Sequence, residues 1–308
     1  MQRELIPFVS EEQWLEARSR DLTSTTISAL FGFHPWITEF QLHHTLKLGD
    51  VGDEFEPNER SEWGKLLQDS IANGVAHEEG WQLRPMREYI RLPQLRIGSS
   101  FDFRVFANPD DGDTDADDLL EIKNVDGLIF RNNWRDEEGF GLVAPEHIEI
   151  QAQHEMLCSG LQLCHIRALV GGNSLARLRR PFQPDVGEAI VNAAQRFWNS
   201  DEPEPDFARD SVFIAQHVYG FSTPGKIIDA DEEVAALFRE YAGHRAIESA
   251  ADKAKKEIKA RILMRIGGAE RVNHSEFTLS AREVGETEVA AFTRKGFRSF
   301  KLYEKEKK

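Results

Sequence analysis

The chain has 308 residues, 53 acidic against 38 basic side chains, and a net charge of -15. That length accommodates one large domain or a core with an appendage, and its apolar content is ordinary for a folded protein with a sizeable core. No apolar stretch is long enough to cross a bilayer, two cysteines cannot build a disulfide framework or a four-thiolate metal site, and the acidic balance argues against a simple basic nucleic-acid-binding module.

The opening residues, MQRELIPFVSEEQW, lack the basic and apolar regions of a secretory signal. With so few cysteines, a reducing cytoplasm is the expected compartment. Residues 11–20 read as an amphipathic helix with Trp14 and Leu15 on its apolar side. After Thr23, Ser24 and Thr25, a second helix runs through Ile27, Leu30 and Phe31 and stops at Gly32. Residues 61–80 give a stronger helical pattern, with Trp63, Leu66, Leu67, Ile71 and Val75 at helical spacing and Gly80 at the end.

The period then changes to two. In 95–106 (LRIGSSFDFRVF), Ile97, Ser99, Phe101, Phe103 and Val105 face one way; Gly98, Ser100, Asp102 and Arg104 face the other, the pattern of a strand. The acidic run 107–118 has turn residues and little to bury, so it reads as a hairpin loop, followed by a strand at 119–125 (LLEIKNV). Pro145 opens a helix to about Gly160, and 163–170 (LCHIRALV) is a buried strand. Residues 201–206 (DEPEPD) mark a boundary region, 231–262 form a long amphipathic helix, and the tail ending EKEKK is charged and frayed. The expected organisation is a core at 1–222 and a helical extension at 223–308.

Glu121 and Lys123 lie two apart on one strand and share a face. Asp102 lies on the preceding strand, and pairing of the two as a hairpin brings all three together. Two carboxylates and a backbone carbonyl suit Mg²⁺, which keeps several waters and binds phosphate, while a lysine can orient a water or stabilise charge on phosphorus. Alone, an E-x-K triplet is more often a solvated strand face. What raises it is the order of elements: acidic strand, turn, E-x-K strand, then a helix carrying Gln151.

In order along the chain stand Leu22-Thr23-Ser24-Thr25, Ala29-Leu30-Phe31-Gly32, Trp63-Gly64, Gly98-Ser99-Ser100-Phe101-Asp102, Leu120-Glu121-Ile122-Lys123 and Gln151-Ala152-Gln153-His154. In these motifs the chain resembles the lambda-exonuclease or YqaJ-type viral recombinases of the PD-(D/E)xK nuclease superfamily. The resemblance implies an α/β restriction-endonuclease-like core, a mixed sheet flanked by helices, and a helical C-terminal extension. It implies a Mg²⁺-dependent 5′-to-3′ exonuclease, with Mn²⁺ able to substitute, acting on double-stranded DNA ends. It also implies a ring-shaped homotrimer, a single-strand annealing protein as partner, and a phage or prophage origin. Asp102, Glu121 and the Ile122 carbonyl would hold the metal, Lys123 would be the catalytic lysine, and Gln151 would complete the site, with Gln153 as the alternative if the helix is rotated. Arg18, Thr25 and Ser100 fall at the positions of a 5′-phosphate pocket.

One position departs from the family pattern. Four residues after Gly64 the family carries a glutamate, and here Gln68 stands. Gln68 could suffice, Glu62 could substitute from one turn earlier, or the site is attenuated. Two other functions stay open: a structure-specific or restriction-like endonuclease on the same core, and, because of Gln68, a weakly active DNA-end-binding scaffold.

Other motifs read more plainly. His43-His44 are expected as surface histidines, and Asp113-x-Asp115-x-Asp117 as a solvated turn, since Asp118 occupies the place where a calcium loop needs glycine. Arg177, Arg179 and Arg180 form the strongest basic cluster and a candidate DNA track, with Arg84, Arg87, Arg91 and Arg96 as a second set. The basic stretch 253–262 suits phosphate contact, a partner helix or core packing.

Overall fold

The computed structural model describes residues 2–49, 59–106, 118–136, 138–139, 141–286 and 298–302. The chain divides into two compact units, Met1–Val218 and Tyr219–Lys308. The first unit opens with β1 (Glu4–Pro7), α1 (Glu11–Arg18), β2 (Leu22–Thr23), a 3₁₀ turn (Ile27–Phe31), α2 (Glu39–His43) and α3 (Glu59–Glu79). Strands β3 (Gln82–Pro85), β4 (Glu88–Leu92), β5 (Ile97–Ser99), β6 (Phe103–Phe106) and β7 (Asp118–Val125) follow. Then come α4 (Gly127–Asn133), α5 (Glu146–Ser159), β8 (Leu163–Val170), β9 (Ser174–Pro181), α6 (Pro184–Asn199) and α7 (Phe207–Phe213).

Two mixed sheets result. One runs β3-β6-β7-β8-β9, antiparallel except at β7–β8; the other runs β1-β4-β5-β2, parallel only at β2–β5. Parallel pairing of β7 with β8 needs a crossover, and α4 and α5 supply it. Helices cover both faces of the larger sheet. On one side Leu119, Ile166 and Ala168 share a core with Ile148, Ala152 and Met156 of α5 and with Ile190 and Phe197 of α6. On the other, Phe103, Val105, Leu120 and Ile122 pack against Ile71, Ala72 and Val75 of α3. Side chains alternate along a strand, so Glu121 and Lys123 fall on the Leu119 face, beneath α5. They are not on a solvated face: Glu121 is only 4% exposed.

Several local expectations are corrected. The stretch 95–106 is not one strand. Ile97–Ser99 belongs to the smaller sheet and Phe103–Phe106 to the larger, with a break at 100–102. The period of two runs through the break unchanged, so nothing in the pattern marks it. The helix expected after Thr25 is a single 3₁₀ turn, closed by Gly32 in the left-handed region at φ 75°. On α3 the buried stripe is Ile71, Ala72 and Val75, while Trp63 and Leu66 are 53% and 69% exposed. His43 and His44 are buried rather than superficial, and His44 Nε2 lies 2.9 Å from Glu202 Oε1. The loop at 107–117, with its Asp113–Asp117 run, lies outside the described residues, as do residues 303–308 of the tail.

The second unit contains α8 (Glu232–Ile266) and a hairpin of β10 (Arg271–Asn273) and β11 (Thr278–Ser280). Asp231 caps α8 by accepting from Val234 N at 2.9 Å. No residue of α8, including its basic stretch 253–262, is buried. No described helix is long and apolar enough to cross a membrane.

Candidate active site

The centre of the site is the edge where β6 leaves β7. The antiparallel ladder joins Phe103 to Leu120. One residue earlier on β6, the Asp102 backbone carbonyl accepts from Met86 N (3.0 Å) while its Oδ2 accepts from Ile122 N (2.7 Å). A side chain has thus taken the place of a ladder partner. Within a strand a residue's N–H and C=O point to the same side, so the Ile122 carbonyl is directed toward this opened edge.

Helix α5 closes the site over Glu121 and Lys123. Lys123 Nζ donates to Glu121 Oε1 at 2.7 Å and to Gln151 Oε1 at 3.1 Å. Gln151 Nε2 donates to Glu121 Oε1 at 2.7 Å and to Glu155 Oε1 at 2.9 Å. Gln68 of α3 bonds its side chain to Asp102 from the other side. Asp102, Glu121, Lys123, Gln151 and Gln68 therefore meet.

Burial and the neighbouring Glu121 carboxylate raise the Asp102 carboxyl well above its usual range, against Lys123 and the hydrogen bonds from Ile122 and Gln68. Burial and Glu121 do the same to Glu155. Burial alone would favour a neutral Lys123, but Glu121 and Asp102 outweigh it and hold the ammonium above its ordinary range. Lys123 is accordingly a hydrogen-bond donor and a positive charge, not a proton acceptor.

A second cluster sits at the break between sheets. Arg18 Nη2 donates to Thr23 Oγ1 at 3.2 Å and to Thr25 Oγ1 at 2.8 Å. Its guanidinium lies 4.2 Å from the centroid of the Trp14 ring, and Trp14 Nε1 donates to Ser100 Oγ at 2.8 Å. Trp14 and Arg18 are one helical turn apart on α1, so the ring braces the guanidinium from its own helix. A single cleft of about 570 Å³ is lined by Arg18, Thr25 and Ser100 at one end and by Asp102, Glu121, Lys123 and Gln151 at the other.

Other candidates lie elsewhere or are otherwise engaged. Glu62 is exposed and does not line the cleft, whereas Gln68 does. Gln153 donates to the Pro181 carbonyl and accepts from Gln183 N, tying α5 to the β9–α6 connection. The β9 arginines do not form one patch. Arg177 pairs with Glu78 on the α3 side and Arg180 with Glu149 on the α5 side, because alternate strand positions face opposite ways, and Arg179 is exposed. Of the second arginine set, Arg91 is bound to buried Asp21, Arg84 lies over Phe106 and Arg96 over Trp198. Arg87 alone of these four lines the cleft.

Residues 13–162 match the YqaJ-like viral recombinase domain. The matched segment, a little under half of the chain, is similar to that family. A Bacillus subtilis protein described as uncharacterized protein YqaJ is 25% identical over 193 residues, 62% of this chain and 56% of its own length. The match thus spans a little over half of that curated relative. Among solved structures, an alkaline exonuclease from Laribacter hongkongensis is similar at 17% identity and a TM-score of 0.45, over 61% of this chain and 90% of its own. The same enzyme in complex with dAMP gives the same values. A phage related exonuclease from Haemophilus somnus is similar at 14% identity and a TM-score of 0.36, over 63% of this chain and 87% of its own.

The YqaJ-like segment holds both ends of the cleft, from Arg18 to Gln151, and excludes the β9 arginines. Trp14, as the brace for Arg18, was legible only as an apolar helix position. Its spacing of four from Arg18 was the available signal. Glu155 stands four from Gln151 on α5 by the same rule.

Among the described residues no group of three or more His, Cys, Asp or Glu side chains is arranged to hold a metal ion. An ion here would rest on Asp102, Glu121 and the Ile122 carbonyl, with the Gln68 amide alongside. That donor set is all oxygen and sparse, which fits Mg²⁺ better than a metal that prefers nitrogen or sulfur. The electrostatics agree: burial and the neighbouring Glu121 carboxylate oppose ionisation of Asp102, and a divalent cation would relieve that opposition.

Proposed function

We propose that this chain is a Mg²⁺-dependent exonuclease that removes nucleotides from the 5′ strand of double-stranded DNA ends. One observation carries the reading: a phosphate-type pocket and a carboxylate–lysine cluster open into the same cleft. A terminal phosphate gripped at one end sets which phosphodiester lies at the other, and that is what distinguishes trimming from an end from cutting within a strand.

At the pocket, the Arg18 guanidinium offers a planar pair of donors, with the Thr25 and Ser100 hydroxyls at its edge. At the other end, Asp102, Glu121 and the Ile122 carbonyl would hold the ion, which when bound supplies Lewis acidity toward the phosphodiester and lowers the pKa of a nearby water. Lys123, kept as an ammonium by Glu121 and Asp102, places positive charge where negative charge develops on phosphorus. Gln151 holds Glu121 and Lys123 in register through its amide. The helices on both faces limit water to the cleft side. Duplex ends are the partner in this reading, and the trimeric ring and annealing protein implied by the resemblance belong with it.

Gln68 supports a second reading, a weakly active end-binding protein, because a neutral amide stands beside Asp102 where the family has a carboxylate. The test is digestion of linear duplex carrying a labelled 5′-phosphate or 5′-hydroxyl, with Mg²⁺ and with chelator. Progressive mononucleotide release from the 5′ strand, faster with the phosphate and abolished by chelator, is expected. Cutting of closed circular DNA, or tight end binding without release, overturns it.

A further inference from the structure

Glu155 is fully buried on α5, one turn beyond Gln151, and plays no part in the mechanism above. Its Oε1 accepts from Gln151 Nε2 at 2.9 Å, while its Oε2 has no partner among the described residues. A buried carboxyl is costly unless something uses it. Here a single hydrogen bond does.

The Gln151 amide makes three contacts. Its oxygen faces the Lys123 ammonium, which can only donate, and its nitrogen faces Glu121 and Glu155. Turning the amide over would set oxygen against two carboxyl oxygens and NH₂ against an ammonium. Two of the three partners have work elsewhere in the proposed reaction: Glu121 toward a metal ion, Lys123 toward phosphate. Glu155 lies deeper, under α5, and nothing calls it away. Ionised, or neutral with its proton on Oε2, the carboxyl leaves an acceptor at Oε1, so the contact can form in either state.

We propose that Glu155 is a positioning residue: it anchors the Gln151 amide so that its oxygen stays on Lys123 when Glu121 and Lys123 engage metal and substrate. The rate effect rests on the exonuclease reading; the anchoring itself does not.

The experiment compares wild type, Glu155→Met, Glu155→Gln, Gln151→Ala and the Glu155→Met/Gln151→Ala double variant. Methionine keeps the volume and removes the acceptor; glutamine keeps both. Two quantities are measured: kcat and KM on 5′-phosphorylated duplex with Mg²⁺, and hydrogen exchange of the Gln151 side-chain NH₂ by NMR in metal-free protein. Glu155→Met is expected to lower kcat about tenfold with KM within about twofold, the loss of one hydrogen bond in a charged network. Glu155→Gln should stay within about threefold of wild type, and Glu155→Met should add nothing to Gln151→Ala. Exchange of the Gln151 NH₂ should quicken in Glu155→Met and not in Glu155→Gln. The proposal is overturned by unchanged exchange in Glu155→Met, by independent multiplication of the two losses, or by a folded Glu155→Gln that loses as much as Glu155→Met. A wild type inactive on DNA ends would refute the exonuclease reading alone, since the exchange data still decide whether Glu155 anchors the amide.

Discussion

The two ends of the cleft are built differently. At one end Glu121, Gln151 and Glu155 are buried, the two carboxyl groups each accepting from the Gln151 amide, and are carried by the inner strand β7 and the packed helix α5. At the other, Thr25 is exposed on a turn, Arg18 is half-buried on the short helix α1, and Ser100 sits where the chain passes from one sheet to the other. Regular, buried elements fix side chains to within a fraction of an ångström, while turns and surface helices tolerate adjustment. On the proposed reading the difference is a division of labour: the buried end would govern the chemical step, and the open end which DNA terminus is admitted.

The sharpest way to break that division is Lys123→Ala. Its ammonium is pinned by Glu121 and Gln151. Removing it should lower kcat by about a thousandfold or more, the size of effect seen when a preorganised charge is deleted from a reacting centre. Binding of 5′-phosphorylated duplex, measured by anisotropy in chelator, should stay within about threefold because the Arg18 end is untouched. A variant that digests normally removes Lys123 from the mechanism. One that keeps kcat and loses binding reverses the two ends.

Arg18→Ala examines the open end. It should raise KM for a 5′-phosphorylated end by about 10–100-fold and change kcat by less than about threefold, the pattern expected when a charge-assisted bidentate contact serves binding alone. Digestion of a 5′-hydroxyl end should hardly change. Arg18→Lys should recover only part of the loss, because a point charge cannot reproduce the planar fork or its stacking on Trp14. Equal losses on both kinds of end would mean that Arg18 supports the fold, not the phosphate.

Much of the buried end was legible in the sequence. Glu121 and Lys123 share a strand face by period alone, Asp102 reaches them through an antiparallel pair, and Pro145 and Gly160 bracket the helix that brings Gln151. What was not legible depended on long-range contacts. The strand 95–106 divides between two sheets because β5 and β6 find different partners, and a pattern of alternating residues is blind to partners. The β9 arginines looked like a track because they are adjacent in sequence; Glu78 and Glu149, which engage Arg177 and Arg180 from opposite faces, are 99 and 31 residues away. The bond between Glu155 and Gln151 became visible only with the helix placed over β7.

The smallest expected effect, and the one that refines the comparison most, is Gln68→Glu. In the wild type the Gln68 amide donates to Asp102, partly offsetting burial and Glu121, which both press that carboxyl toward its neutral form. A glutamate removes the donor and places a further carboxylate beside Asp102. Without metal, the variant should therefore be less stable by about 1–3 kcal/mol, the cost of exchanging a hydrogen bond to a buried charge for like-charge contact. Mg²⁺ should recover that loss, because an ion bound only in the folded state stabilises it in proportion to ligand concentration. A melting-temperature difference between the two proteins that closes as Mg²⁺ is added is the expected result. Activity at saturating Mg²⁺ should change less than about fivefold, since on the proposed reading Asp102, Glu121 and the Ile122 carbonyl would already offer an oxygen site that suits an ion retaining its waters. A rise of about a hundredfold or more would show instead that the wild-type buried end lacks a charge it needs. The open end would then be the functional part of the molecule, and the end-binding reading would replace the exonuclease.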